Sequence, residues 1–377
     1  MIKKLLQISN DFADQKIYVN LVRRVSESGL AQVIYVPVRW EEKINGNRDD
    51  SIKNVIYHYS HILKRSLIFK LRFHRKISII LKDLESKVDL KDVGLVHAHF
   101  LFSDGAVAFR LKKKYNIPYI VSVRATDIHT FFRYMIHLRP LGNRIIDEAE
   151  KVIFINPSYK DIFNRKYKLP STRTGGNKLL VIPNAIDDTW FRRPLKPKKP
   201  TEIVRLIYVG RIIRRKKLDI VIKALKRLNS ENDGRFRLEV EGEGSVKEAA
   251  EKIADENVNF YGKISDTKDL IKIYDQSHIF VMPAIRETFG LVYIEAMSQG
   301  LPIIFCKGEG VDGFFEEDSV GRAVTPHSVS EVCDAVLGIL ADYSSLSSHA
   351  HKYSRKFNWK EITDQYVKIY QASLSRN

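Results

Sequence analysis

Two glutamates stand eight positions apart in the segment running from Pro283 through Glu287, Thr288, Phe289, Gly290 and Leu291 to Glu295 and Met297. The apolar run Ile279 to Met282 predicts a buried strand stopped by Pro283. Leu291 to Gln299 predicts a helix closed by Gly300 and followed by Pro302. Glu287 then falls in a loop at a strand's carboxyl end, where open α/β sheets place their ligands, and Glu295 falls inside the next helix. The backbone N–H groups of Phe289, Gly290 and Leu291 open that helix and offer a ready anion site. A carboxylate that grips hydroxyls beside amides that grip phosphate suits a sugar nucleotide. The plainer alternative is a charged helix with a solvated face.

A second constellation follows an earlier strand, in Tyr208-Val-Gly210-Arg211-Ile-Ile-Arg-Arg-Lys216-Lys217. Cations at the head of a helix oppose its dipole, so the sequence needs a reason for them. A bound diphosphate supplies one: Arg offers a fork to phosphate oxygens and Lys a point charge, each contact worth about 1.5–3 kcal/mol. An ordinary solvated basic loop is the competing reading. Further along, Gly242-Glu-Gly244 follows a strand and Tyr261-Gly262-Lys-Ile264 ends another.

These segments need a frame, and the hydropathy pattern provides it. Strands are predicted at Leu5–Ile8, Val33–Val36, Leu95–His97, Tyr119–Val123, Val152–Ile155 and Leu180–Ile182, with helical patterns between most of them. After a proline-rich basic stretch from Trp190 to Pro200, a second series alternates strands Arg205–Val209, Arg237–Glu241, Asn259–Tyr261 and His278–Met282 with helices Leu218–Leu228, Val246–Ala254, Asp266–Tyr274 and Leu291–Gln299. Alternation of this kind predicts parallel sheets covered on both faces, in two doubly wound α/β domains. A final amphipathic stretch, Trp359 to Ser373, is expected to pack back onto the first domain.

The chain has 377 residues and a formal net charge of +18, enough length for two cores. The charge is uneven: residues 1–190 hold 33 Lys and Arg against 19 Asp and Glu. Within them, Ile62 to Lys76 interleaves aliphatic and aromatic residues with six Lys and Arg. Such a stretch can meet an anionic membrane surface, each cation contributing about 1 kcal/mol, or can pack as a core helix with snorkelling heads. Nucleic acid is the weakest reading of this charge, because no basic-aromatic module accompanies it. No apolar run approaches transmembrane length, and the N-terminus reads as a buried strand and not a signal peptide. Cys306 and Cys333 sit in apolar contexts without metal-ligand spacing, which suits packing in a reducing, cytoplasmic compartment.

Taken in order, Gly210-Arg211 with Lys216, Gly242-Glu-Gly244, Tyr261-Gly262-Lys-Ile264, Glu287 through Glu295 and Gly300-Leu-Pro302 resemble the nucleotide-sugar domain of retaining GT-B glycosyltransferases of the family-4 type. In the first half, Val96-His97-Ala98-His99-Phe100, Arg124-Ala-Thr-Asp127 and Ile182-Pro-Asn184-Ala-Ile-Asp187 are similar to segments that line that family's interdomain cleft. The resemblance implies two Rossmann-like domains facing each other across a cleft: an acceptor domain over residues 1–190 joined by a C-terminal helix at 358–377, a linker at 191–203, and a nucleotide-sugar domain over 204–357. It implies transfer of a sugar from a UDP- or GDP-linked donor, with retention at the anomeric carbon and no metal, onto a glycan or lipid-linked acceptor in cell-surface polysaccharide synthesis. The enzyme would be cytoplasmic and peripheral to the inner face of the plasma membrane. The resemblance gives Arg211 and Lys216 the leaving diphosphate and Glu287 the donor-sugar hydroxyls. Gly210, Gly244 and the amides of Phe289, Gly290 and Leu291 would hold sugar and phosphate, Glu295 the ribose, and the backbone at Ile264 the base. His99, Arg124, Asp127 and Asn184 would face the acceptor.

The chain departs from the family pattern in three places. Ser9 to Lys16 stands where many relatives carry a glycine pair, Arg124 where a histidine is common, and Lys217 where glycine is usual. His97 and His99 read either as substrate contacts or as strand-end histidines satisfied internally, and Asp127 either as an acceptor contact or as a turn cap. A catalytically silent sugar-nucleotide binder and a GT-B epimerase are the alternative functions.

Overall fold

The computed structural model of the chain describes residues 3–63, 72–167, 178–194, 198–200 and 202–375. The chain divides into two compact units: Met1–Ile155, Tyr159–Asn184 and Trp359–Asn377 form one, and Asn156–Ser158 with Ala185–Asn358 the other.

Among the described residues, the first unit is built on seven strands: β1 (Lys4–Ile8), β2 (Gln32–Val38), β3 (Val55–His61), β4 (Val93–Ala98), β5 (Tyr119–Val123), β6 (Lys151–Phe154) and β7 (Leu179–Val181). They lie in the order β3-β2-β1-β4-β5-β6-β7, and every pair is parallel. The inner strands β1, β2, β4, β5 and β6 are buried on both faces, which is why they read as near-continuous apolar runs. Alternate residues of β2 serve different cores: Val33 and Tyr35 join the cluster holding Ile77, Ile80 and Leu84, while Ile34, Val36 and Val38 join that of Tyr18, Val19 and Val22. β3 escapes the sequence pattern because it is an edge strand, half-exposed, with His and Tyr where an inner strand would carry aliphatics.

The second unit is a six-stranded parallel sheet of β8 (Val204–Val209), β9 (Phe236–Glu241), β10 (Val258–Gly262), β11 (Ile279–Val281), β12 (Ile303–Cys306) and β13 (Gly321–Val324), in the order β10-β9-β8-β11-β12-β13. The direction of winding reverses between β8 and β11, the place where doubly wound sheets open a crevice at their carboxyl ends. The sequence pattern did not mark β12 and β13, each of four residues.

The basic stretch predicted as a membrane contact lies in part outside the described residues, at 64–71. Its described end enters the helix Phe73–Lys87, whose Phe73, Ile77, Ile80 and Leu84 are core residues. The C-terminal helix Trp359–Leu374 belongs to the first unit and buries Trp359, Ile362, Tyr366 and Tyr370. Its anchor is polar: the Tyr370 hydroxyl is 2.7 Å from Nδ1 of His97 on β4, and His97 Nε2 is 2.9 Å from the Ser122 hydroxyl.

Burial first, and the Arg124 charge second, hold the His97 imidazole down to about 3. An imidazole whose folded pKa is depressed loses stability as pH falls, because below about 6.5 the unfolded chain takes the proton first. Between pH 7 and pH 5 the first unit is therefore expected to lose about 2 kcal/mol through His97 alone. Replacing His97 with Gln should flatten that part of a pH series of denaturant melts. An unchanged slope would contradict the assignment.

Candidate functional site

The second unit's site is assembled from the loops that leave β8 and β11. Residues 210–217 and 283–290 are stitched together by the backbone and by side chains. The Ile285 N–H donates to the Arg215 carbonyl at 2.9 Å, and the Arg215 guanidinium donates to the Arg286 carbonyl at 3.1 Å. Between them Lys216 and Glu287 form an ion pair with side chains only 10% and 13% exposed. A pair so shielded holds strongly when complete and is costly when one partner is removed. Glu287 is fixed from its other side as well: its N–H donates to Glu309 at 3.1 Å, and its carbonyl accepts from the Gly310 N–H at 2.9 Å. The Asn156 amide reaches the next carbonyl, Thr288, at 2.7 Å.

Gly290 caps the helix Leu291–Ser298 in the left-handed region, with φ 78°. A Cβ there would meet the Tyr293 ring at 2.5 Å, so the loop can pass only as glycine. The first N–H groups of this helix, from Gly290 and Leu291 on, have no intrahelical acceptor and lie at the dipole's positive end. Phe289 contributes its backbone; its side chain is buried against Phe314 and Phe357.

Gly210 turns the chain at the end of β8, where its N–H donates to the Glu241 carbonyl at 3.1 Å. Gly244 lets a neighbouring loop approach: a Cβ at this position would stand 2.2 Å from the Ile212 carbonyl oxygen. Arg211 is exposed beside the ion pair's loop. Lys217 takes φ 60°, a conformation that favours glycine. The sequence therefore accepts local strain to place another ammonium there.

Glu295 is partly buried, and burial together with the charge of Glu241 pushes its carboxyl up to about 7. An acid with a raised folded pKa contributes full stability below its unfolded pKa and loses it as pH rises towards the folded value. Glu295→Gln is therefore expected to be more stable than the wild type at pH 8, by about 3 kcal/mol, and equal to it at pH 4. Two melting curves check this; equal melting temperatures at both pH values would contradict it.

Several groups named from the sequence are engaged within the protein. The Ile264 N–H is one, donating to the Glu241 carboxylate at 3.0 Å. Glu241 itself, missed in the sequence, ends β9 directly before Gly242 and sits near Glu295; its position at a strand's carboxyl end was the available signal. On the first unit, Asp127 does not present its carboxylate outward. It is 1% exposed and accepts three backbone N–H groups, from Arg124 at 2.9 Å, Leu101 at 3.1 Å and Phe102 at 3.2 Å. Asp127 thus organises the loops after β4 and β5 and is corrected from an acceptor contact to a structural clamp. His99 is likewise internal: Nε2 donates to the Gln7 amide oxygen at 2.7 Å and the ring packs on Tyr18 and His97.

Arg124 and Asn184 do come together. The guanidinium lies over the Tyr18 ring, 5.5 Å from its centroid, donates to the His99 carbonyl at 3.3 Å and approaches the Asn184 amide oxygen at 3.4 Å. Among the described residues, no group of three or more His, Cys, Asp or Glu could hold a metal ion, and no helix is long and apolar enough to cross a membrane.

Known proteins resemble this chain over most of its length. The family profile described as glycosyl transferases group 1 matches residues 188–357, and that described as glycosyltransferase family 4 matches residues 17–190. An uncharacterised glycosyltransferase of Methanocaldococcus jannaschii is 21% identical over 362 residues, covering 93% of this chain and 92% of that protein. Sucrose-phosphate synthase from Thermosynechococcus elongatus superposes over 100% of both chains with a TM-score of 0.78 at 18% identity. Anabaena HepE in complex with UDP-glucose superposes over 98% of this chain and 99% of its own, with a TM-score of 0.68 at 14% identity.

Proposed function

The chain belongs to the GT-B glycosyltransferases of the family-4 type, and from that premise we propose that it transfers a sugar from a nucleoside-diphosphate donor to a saccharide acceptor with retention at the anomeric carbon. The observation that carries the reading is the shielded Lys216–Glu287 pair, set beside a helix start at the point where the second sheet reverses its winding.

In this reading Lys216 and Arg211 meet the leaving diphosphate, whose charge grows as the anomeric C–O bond breaks. Contacts that strengthen in this way lower the barrier and do more than tighten binding. Glu287 accepts hydroxyls of the donor sugar, the amides at Gly290 and Leu291 hold phosphate and sugar, and Glu295 accepts from the ribose diol. Ionised Glu295 is the better acceptor, so donor affinity should rise as pH passes 7. The acceptor oxygen bonds to the anomeric carbon on the face from which the diphosphate departs. Its proton passes to the departing phosphate oxygen, so the step requires no protein base.

The donor is proposed to be a UDP- or GDP-sugar; the UDP-glucose held by the Anabaena neighbour favours UDP. The acceptor is proposed to be a glycan or lipid-linked saccharide of a cell-surface polysaccharide. The positive excess of residues 1–190 supports work at the cytoplasmic face of an anionic membrane. Arg124 and Asn184 are proposed to face the acceptor. Retention is tested by recording the anomeric proton of the first-formed product by NMR during turnover of an α-linked donor: an α product supports the reading and a β product overturns it.

A further inference from the structure

Among the described residues, Tyr134 and Ile136 are the most exposed of the large hydrophobic side chains, at 61% and 60%. Single apolar residues scattered over a surface are ordinary, but two so open and two positions apart ask for a cause. The sequence surrounds them with charge of one sign: residues 128–146 contain Arg133, Arg139 and Arg144 and no Asp or Glu. The fold brings two further basic segments alongside. The helix Phe73–Lys87 begins here, its Phe73 ring edge to face with Phe131 at 5.9 Å, and Phe131 stacks on the buried Phe102 at 4.5 Å. The Phe132 ring lies 4.7 Å from that of Tyr167, and the Arg139 guanidinium sits 5.6 Å from the Tyr167 centroid while its Nε donates to the Phe132 carbonyl at 2.7 Å.

These ring contacts gather residues 72–76, 131–139 and 165–167 into one region of the first unit. Arg72, Arg75, Arg133, Arg165 and Lys166 are exposed on it, and neither 72–82 nor 162–167 contains an acidic residue. The Arg133 guanidinium lies 5.3 Å from the Tyr134 centroid, so cation and aromatic ring are presented together. Cations without a carboxylate among them call for an anionic partner. The apolar groups decide which kind. Nucleic acid can stack on Tyr134 but has no use for an exposed Ile136 beside it. The centre of a protein–protein interface needs more apolar area than two side chains supply. A lipid surface takes every part: headgroups meet the cations, and an amphipathic Tyr and an Ile enter the interfacial layer one by one.

We propose that this face of the first unit docks on an anionic lipid surface, with Tyr134 and Ile136 as the inserted anchors. The inference rests on the proposed work at a membrane and adds to it the surface that makes the contact. Only Arg72 and Arg75 belong to the basic stretch singled out in the sequence; the anchors lie some sixty residues further on, in a segment whose charge alone does not stand out.

Purified full-length protein is sedimented with vesicles of phosphatidylcholine alone and with vesicles containing about one third phosphatidylglycerol, at about 0.15 M NaCl. The anionic vesicles are expected to bind it about tenfold more tightly. Tyr134→Ser with Ile136→Ser, and separately Arg133→Glu with Lys166→Glu, should each weaken that binding about tenfold at an unchanged melting temperature. Lys223→Glu with Lys226→Glu makes the same change of charge on the second unit's helix Leu218–Glu231 and should weaken it much less. No preference for anionic vesicles, wild-type binding by either variant of the face, equal weakening by the distant pair, or tighter binding to single-stranded RNA than to vesicles overturns the docking face. Equal weakening by the distant pair would leave membrane work in place and remove only this surface. Sedimentation needs no donor, so its failure is separable from failure of the glycosyltransferase reading, which would show as no turnover of any nucleotide sugar.

Discussion

Lys216→Ala is expected to lower kcat at least 10²-fold, about 3 kcal/mol of transition-state stabilisation. Two losses combine. The diphosphate departs without the ammonium that neutralises it, and Glu287 is left as a shielded carboxylate without the Lys216 ammonium. Glu287→Ala is expected to fall by a similar factor, because it strands the lysine and removes the acceptor for sugar hydroxyls. The double variant should lose much less than the product of the two single effects, since the residues act as a unit. Steady-state turnover of the three variants beside their melting temperatures checks this. Independent, multiplying losses would mean that the pair is not one device, and wild-type rates in folded single variants would remove the site altogether.

Asp127→Ala carries the largest expected loss of stability. Its carboxylate accepts three buried N–H groups from two loops, and truncation leaves all three without their acceptor. At about 1–3 kcal/mol for an orphaned buried donor, partial rearrangement brings the expected cost to about 3–5 kcal/mol. At about 2–4 °C for each kcal/mol in a domain of this size, the melting temperature should fall by about 10 °C. Asp127→Asn keeps one amide oxygen but turns an NH2 group towards backbone donors, so it should recover only part of the loss. The pattern separates the two roles assigned to this residue. An acceptor contact would raise KM and leave the melt in place; a clamp moves the melt. Burial holds the carboxyl up to about 6 despite the three N–H groups that pull it down. The raised value means that this carboxyl's contribution to stability is full below about pH 4 and declines as pH rises through 6.

Much of this was legible in the sequence because it is local. A β strand followed by glycine, cations and a helix fixes where Lys216 sits, and a strand stopped by Pro283 fixes where Glu287 sits. In a parallel sheet these strand ends fall on one edge, so the two residues were constrained to the same region before any contact was known. What stayed hidden depends on partners far along the chain. Asp127 looks like an outward carboxylate until the loop at Leu101 and Phe102 folds over it. The Ile264 amide looks available until β9 brings Glu241 beside it. His99 looks reactive until Gln7, 92 positions away, takes its Nε2. Edge strand β3 stayed hidden for a different reason: with one side open to water it does not need the apolar run by which inner strands are recognised.

Lys217 illustrates another limit. Lys217 breaks the local rule that φ near 60° belongs to glycine, and it does so beside the proposed phosphate site, where strain can be tolerated in exchange for charge.

The central claim is that the second unit binds a nucleoside-diphosphate sugar through Lys216 and Glu287. It is met most directly by a thermal-shift series of UDP-, GDP-, ADP- and CMP-sugars against the wild type and Lys216→Ala. A donor that binds only the folded state must raise the melting temperature, by about 2.7 kcal/mol of added stability at a hundred times its Kd. The account predicts a clear shift with one nucleoside-diphosphate sugar and its loss or strong reduction in Lys216→Ala. No shift with any donor, or an equal shift in both proteins, would contradict it.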